Sequence, residues 1–286
     1  MSERILVTGA TSPVGREVVR QLRAAGASVM AGTRHPARAP ELLGADVNVI
    51  ELDYREPATF DAAVEWADLL FLQPPAFEPN AHETLKPLLD WAVQAGTKRV
   101  VLVSAMGMEV REDLPIRRLE RHVASLGVEY TILRPNFYMQ SFGEGFLGER
   151  IRRTRRFQMP VEKAQVSLVD GRDVASVAVE ALTDAAHHGQ AYTLTGPEPL
   201  THNDVANRIA SVIGQDVSFE SCTDDEMLGW LTGSGWPRDV AGVVIAMYQA
   251  VRGGVRTEPS GDIEKVLGRP PTDFEAFAKD CAHLWD

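Results

Sequence analysis

Short apolar runs alternate with amphipathic stretches through the first half of the chain. Ile5, Leu6 and Val7 form a run too short for a helix and typical of a strand buried on both faces. Past a turn of small residues, Val14, Val18, Val19 and Leu22 recur at helical spacing. The alternation continues with strands expected at Ser28–Gly32, Val47–Leu52, Asp68–Leu72, Arg99–Val103 and Tyr130–Leu133. Between them the spacing predicts helices around Pro57–Trp66, over Asn80–Ala95 with Gly96 as its cap, and from Pro115 to Ser125. This order predicts an α/β fold with a doubly wound parallel sheet.

After Pro135 the pattern changes. Residues 137–160 lack clean strand spacing and carry many aromatics and glycines. Val166–Val169 reads as a short strand, Asp173–Leu182 as a helix and Tyr192–Gly196 as a strand. Thr201 is expected to cap a helix, with Asp204 three residues on. The remainder reads mostly helical around glycine- and proline-rich loops at Gly233–Pro237 and Gly253–Gly261. Residues 1–136, completed by about 166–196, are therefore expected to form one α/β domain, and residues 137–165 and 197–286 a smaller, mainly helical lobe.

Composition narrows the picture. The chain has 286 residues and a formal net charge of −11, which argues against general nucleic-acid binding. No apolar run is long enough to cross a bilayer and no signal peptide precedes the first strand, so no membrane partner is expected. Two cysteines, Cys222 and Cys281, lie in no metal spacing, so no metal site is expected and the cytoplasm is the expected compartment. The Arg152–Arg156 basic run reads as a solvated face, and His187–His188 as a polar loop.

The candidate chemistry begins at Gly9–Gly15. Strand, glycine turn and helix together form the context of a dinucleotide phosphate site. Gly9 can take the positive φ of a tight turn, and Gly15 allows the helix to pack close to the strand. Thr11, Ser12, Pro13 and Val14 complete the turn; Ser12 stands where a fingerprint usually has glycine, and its hydroxyl can donate to a phosphate. At the end of the second strand there is no acid to bind ribose hydroxyls, whereas Arg34 suits the 2′-phosphate of NADP; Arg38 is a weaker second. NADPH is thus expected over NADH. Asp53 has two readings, an adenine contact or an N-cap. Gln73 and Pro74 end the fourth strand at the edge where ligands bind.

The chain resembles atypical short-chain dehydrogenase/reductases of the NmrA-like family, near the NAD(P)H:quinone oxidoreductase type 2 branch. The resemblance is carried by the Thr8–Gly15 turn, Thr33-Arg34, Val103-Ser104-Ala105, Glu120, Tyr130–Phe137, Asp173-Val174-Ala175 and Tyr192–Glu198. It implies an NADPH-binding Rossmann domain, Ser104 at the nicotinamide end, and Asn136, Phe137 and Tyr138 facing a small-molecule substrate. The usual Tyr and Lys four residues apart are missing: Glu112-Asp113-Leu114-Pro115-Ile116-Arg117-Arg118-Leu119-Glu120 has neither, and alignment on Glu120 puts Glu112 and Ile116 there. Without that acid the expected substrate is already electrophilic, a quinone, imine or iminium, or conjugated enone. Tyr138 is the first candidate replacement donor and Glu112 the second. The alternative is a non-catalytic redox sensor that binds NADP. The oligomeric state is open.

Overall fold

The structure is a computed structural model describing residues 3–254 and 257–286. Contacts divide the chain into two units, one of residues 1–135, 171–193 and 265–268, the other of residues 136–170, 194–264 and 269–286. Within the Gly253–Gly261 loop, Val255 and Arg256 lie outside the described residues.

The first unit is built on strands β1 (Arg4–Val7), β2 (Ser28–Thr33), β3 (Asn48–Glu51), β4 (Leu69–Leu72), β5 (Arg99–Val103) and β6 (Glu129–Pro135). With a later strand, Gln190–Leu194, they form a seven-stranded sheet in the order β3-β2-β1-β4-β5-β6 and then that strand. Pairings from β3 through β6 are parallel. The chain order reverses between β1 and β4, which is where a crevice for ligands opens at the carboxyl ends of such strands.

Helices cover both faces because the strands are apolar on both. The first is α1 (Pro13–Ala24), followed by α2 (Ala39–Leu43), α3 (Asp61–Trp66), α4 (Ala81–Gln94) and α5 (Pro115–Ser125). Leu6, Leu70, Leu72, Val100 and Leu102 pack with Val64, Leu85, Leu88, Leu119 and Val123 from α3, α4 and α5. The alternate residues Ile5, Val7, Leu69, Phe71, Val101 and Val103 point to the other face, and are equally buried. Burying each such side chain stabilises the fold by roughly 1.5–3 kcal/mol.

In the second unit the stretch without clean strand spacing holds α6 (Phe146–Thr154) and β7 (Arg156–Met159). The strand expected at Val166–Val169 is only β8 (Gln165–Val166), with Val169 in an isolated bridge to Tyr138. Next come α7 (Gly171–Thr183) and β9 (Gln190–Leu194), the strand that completes the large sheet; α7 belongs to the first unit and packs on α1. The second unit resumes with β10 (Leu200–Thr201), α8 (His202–Ile213), β11 (Ser218–Ser221), α9 (Asp224–Gly233), α10 (Arg238–Arg252) and α12 (Phe274–Asp280), with the short α11 (Asp262–Leu267) before the last. β11 pairs parallel with β7 and β10 antiparallel with β8. Thr201 caps α8 as expected: its hydroxyl accepts from Asp204 N, and the Asp204 carboxylate accepts from Thr201 N.

Candidate functional site

The first unit gathers its unusual features where β1 and β4 end. Thr8 Oγ1 donates to Phe71 O at 3.0 Å and accepts from Gln73 N at 2.9 Å, tying the two strand ends together. Gly9 follows with φ +58°, and a Cβ there would stand 2.9 Å from Gln73 Cγ. Gly15 is closed to any side chain by the Gly9 carbonyl group. Helix and turn thus meet backbone to backbone, as the spacing predicted.

Ser12 is the N-cap of α1, its Oγ accepting from Gly15 N at 3.0 Å. Pro13 at the first helical position has no N–H to satisfy. The amides of Thr11 and Val14 have no acceptor among the described residues. Unpaired amides and the positive end of a twelve-residue helix dipole together favour an anion here. Thr11 Oγ1 lies 3.5 Å from Thr33 Oγ1, at the end of β2. The next residue, Arg34, is exposed, and among the described residues it has no carboxylate partner.

Gln73 is half-buried, yet its Oε1 has no hydrogen-bond donor among the described residues. Tyr54, which sequence reasoning did not single out, donates its hydroxyl to Gln73 O at 2.7 Å. Burial pushes the Tyr54 phenol well above its ordinary range, so it stays a neutral donor. Asp53 Oδ1 accepts from Arg55 N at 3.0 Å in a local turn, and the N-cap of the short helical turn that follows is Glu56, not Asp53. At the end of β5, Ser104 donates its N–H to Leu133 O at 2.7 Å; its buried hydroxyl has no partner at hydrogen-bond distance among the described residues.

Glu112 needs a correction. It is exposed on the loop before α5, where Arg121 and Arg117 hydrogen-bond its carboxylate and pull it down to about 2. A carboxylate on the surface held ionised by two arginines is a poor proton donor at neutral pH. Glu120 on α5 is buried and accepts from both Arg134 and Arg117. The sequence signal for that cluster is an acid on the same buried face as Leu119 and Val123.

In the second unit, Asn136 Nδ2 donates to Ser167 O at 3.0 Å and its Oδ1 accepts from Phe137 N at 2.9 Å. Its buried amide therefore ties this segment together. Phe137 stacks on Tyr248, with ring centroids 6.3 Å apart and planes 10° from parallel. Tyr138 has a buried hydroxyl without a partner among the described residues, and burial pushes the pKa of its phenol well above the ordinary value, so it stays protonated.

An orphaned acceptor at Gln73, an orphaned hydroxyl at Ser104, an unpaired guanidinium and a cradle that excludes Cβ atoms suit a long, anionic, hydrogen-bonding ligand. A dinucleotide has that character. The donors carry no group of three or more His, Cys, Asp or Glu placed to hold a metal among the described residues. No helix among the described residues is long and apolar enough to cross a membrane.

Comparison with known proteins places these features in a wider set. The family model described as "NmrA-like family" matches residues 1–278. An NAD(P)H azoreductase of Xenophilus azovorans is 33% identical over 279 residues, covering 96% of this chain and 96% of that protein. A (4-alkanoyl-5-oxo-2,5-dihydrofuran-3-yl)methyl phosphate reductase of Streptomyces griseus is 32% identical over 294 residues, covering 98% and 99%. In fold, the chain is similar to the NADPH complex of the Escherichia coli quinone oxidoreductase QOR2, with a TM-score of 0.82 at 21% identity, covering 99% of this chain and 100% of that one.

Proposed function

The chain belongs to the NmrA-like family, and we propose that it is an NADPH-dependent reductase whose acceptor needs no acid from the enzyme: a quinone, an imine or iminium, or a conjugated enone. That it is an NAD(P)H-dependent oxidoreductase of the atypical short-chain type rests on its relatives over nearly their whole length.

The observation that carries the reading is the state of the acids around α5. The helix has no tyrosine and no lysine, and Glu112 before it and Glu120 on it each accept hydrogen bonds from arginines. An ordinary ketone would forfeit roughly 10²–10⁴-fold in rate without general-acid help. An acceptor that delocalises the incoming charge forfeits little. Both relatives' names point the same way, to an azo compound and to an acylated oxo-dihydrofuran.

When bound, the dihydronicotinamide supplies a hydride. The chain's own groups would then have distinct tasks. The turn Gly9–Gly15, with the Thr11 and Val14 amides and the Ser12 hydroxyl, holds the diphosphate. Arg34 holds the 2′-phosphate, which selects NADPH. Gln73, Pro74 and Ser104 border the crevice along the strand ends and keep water from the reacting face. In the second unit, Phe137 offers an aromatic face to a planar acceptor, and the Tyr138 hydroxyl offers it one hydrogen bond. Any proton the product needs comes from water or Tyr138.

The test is NADPH oxidation by the purified protein against a panel of quinones, cyclic imines and enones, with simple ketones and NADH in parallel. Turnover confined to electrophilic acceptors and faster with NADPH supports the reading. Turnover with simple ketones alone would refute it, and cofactor binding without turnover on any acceptor would favour a sensor.

A further inference from the structure

Tyr54 follows β3, which lies three places along the sheet from β4, yet its hydroxyl donates at 2.7 Å to the carbonyl of Gln73, the first residue past β4. Three strand spacings are roughly 14 Å, so the link from β3 to Gln73 passes the carboxyl ends of β2 and β1, the edge where ligands bind in such sheets. The next residue ties the same two segments together, with Arg55 Nη2 donating to Glu78 Oε2 at 3.2 Å.

The Gln73 peptide is thereby held from both sides. Its N–H donates to Thr8 Oγ1 at 2.9 Å, Thr8 Oγ1 in turn donates to Phe71 O at 3.0 Å, and its carbonyl accepts from Tyr54. The side chain is fixed as well. Its Cγ stands 2.9 Å from where a Cβ on Gly9 would be, and its Nε2 donates to Pro74 O at 3.3 Å. What remains is Oε1, which is buried and without a donor among the described residues. A buried acceptor left unsatisfied weakens a fold, and a methionine here would fill the same space without one. The arrangement therefore serves a ligand. An amide oxygen only accepts, so it suits an N–H or O–H of that ligand and not an ionised phosphate.

We infer that Tyr54 is a positioning residue of the nucleotide site: acting through the Gln73 main chain, it fixes where Gln73 Oε1 is offered to the cofactor. The inference rests on the reading that the Gly9–Gly15 turn binds NADP(H), and adds to it a residue that acts through another.

Calorimetric titration of the full chain with NADP+, beside thermal unfolding of the same proteins, separates this role from a structural one. Tyr54→Phe keeps the ring packed on the core of the first unit and removes its hydroxyl. Gln73→Met keeps the length and the Cγ beside Gly9 and removes the amide. Each should weaken NADP+ about three- to tenfold, the scale of one hydrogen bond. Added to Gln73→Met, Tyr54→Phe should weaken NADP+ by no more than a further twofold or so, yet still lower the melting temperature, because its main-chain bond is lost in either background. If Tyr54→Phe does not fold, Tyr54→His, a shorter ring that keeps an N–H, is read in the same cycle. Additive losses of affinity are what a merely structural tyrosine gives. That outcome, or wild-type affinity in either single variant, would overturn the inference while leaving the cofactor site standing. A wild-type protein that binds no NADP+ overturns both.

Discussion

The Gly9 carbonyl occupies the space that a side chain on Gly15 would need: a Cβ on Gly15 overlaps the carbonyl oxygen and lies 2.9 Å from its carbon. Nothing flexible stands in between, so the turn must move if the glycine is replaced. Gly15→Ala should cost about 1–3 kcal/mol of stability and displace the Thr11 and Val14 amides. Thermal unfolding checks the first effect, and loss of NADPH binding by calorimetry the second.

Arg34 is exposed and has no carboxylate partner among the described residues, so its removal leaves no buried charge behind. Arg34→Ala should leave the melting temperature unchanged. It should lower kcat/KM for NADPH about tenfold, the scale of a lost charge-assisted contact, and leave NADH nearly unaffected. Parallel steady-state kinetics with the two cofactors measure it.

Glu112→Gln should leave kcat/KM within about twofold and the shape of its pH profile unchanged, because a carboxylate already held at about 2 by Arg121 and Arg117 has no titration between pH 5 and 9 to lose. A profile that lost its alkaline limb in this variant would restore Glu112 as an acid.

Tyr138→Phe removes a hydroxyl that is buried without a partner. A group of that kind costs stability, so the variant should melt no lower than the parent. With the acceptors proposed above, kcat/KM should fall about tenfold if the hydroxyl meets the substrate; unchanged kinetics would remove the residue from the site.

His202 gives a pH dependence of stability. It lies between the rings of Phe142 and Phe219, its Nδ1 has no partner among the described residues, and burial pulls its pKa down to about 4. Between pH 6.5 and 4 the unfolded chain binds a proton that the folded chain refuses, so stability falls as pH falls through that window, by up to roughly 3 kcal/mol. Below pH 4 both states bind it and the loss levels off. His202→Phe should flatten this slope in urea unfolding measured from pH 7 to 4.

Most of the first unit was legible because its strands are apolar throughout and its helices carry plain one-sided stripes. The glycine turn, Ser12 and Arg34 were legible for the same reason: their chemistry is local. The stretch 137–160 was not. Its many glycines and aromatics hide any stripe, yet Gly148 lies inside α6, where a Cβ would strike the Gly143 backbone. β7 was hidden because its partner, β11, lies some sixty residues on and a charged run precedes it. The Glu120–Arg134 pair and the Tyr54–Gln73 bond join elements distant in sequence, so only the fold brings them together.

A structure of the protein with NADPH, determined by experiment, tests the central claim most directly. The account predicts the diphosphate against the amides of Thr11 and Val14 within the Gly9–Gly15 turn, and the 2′-phosphate on Arg34. A cofactor bound away from that turn, or none bound at saturating concentration, would contradict it.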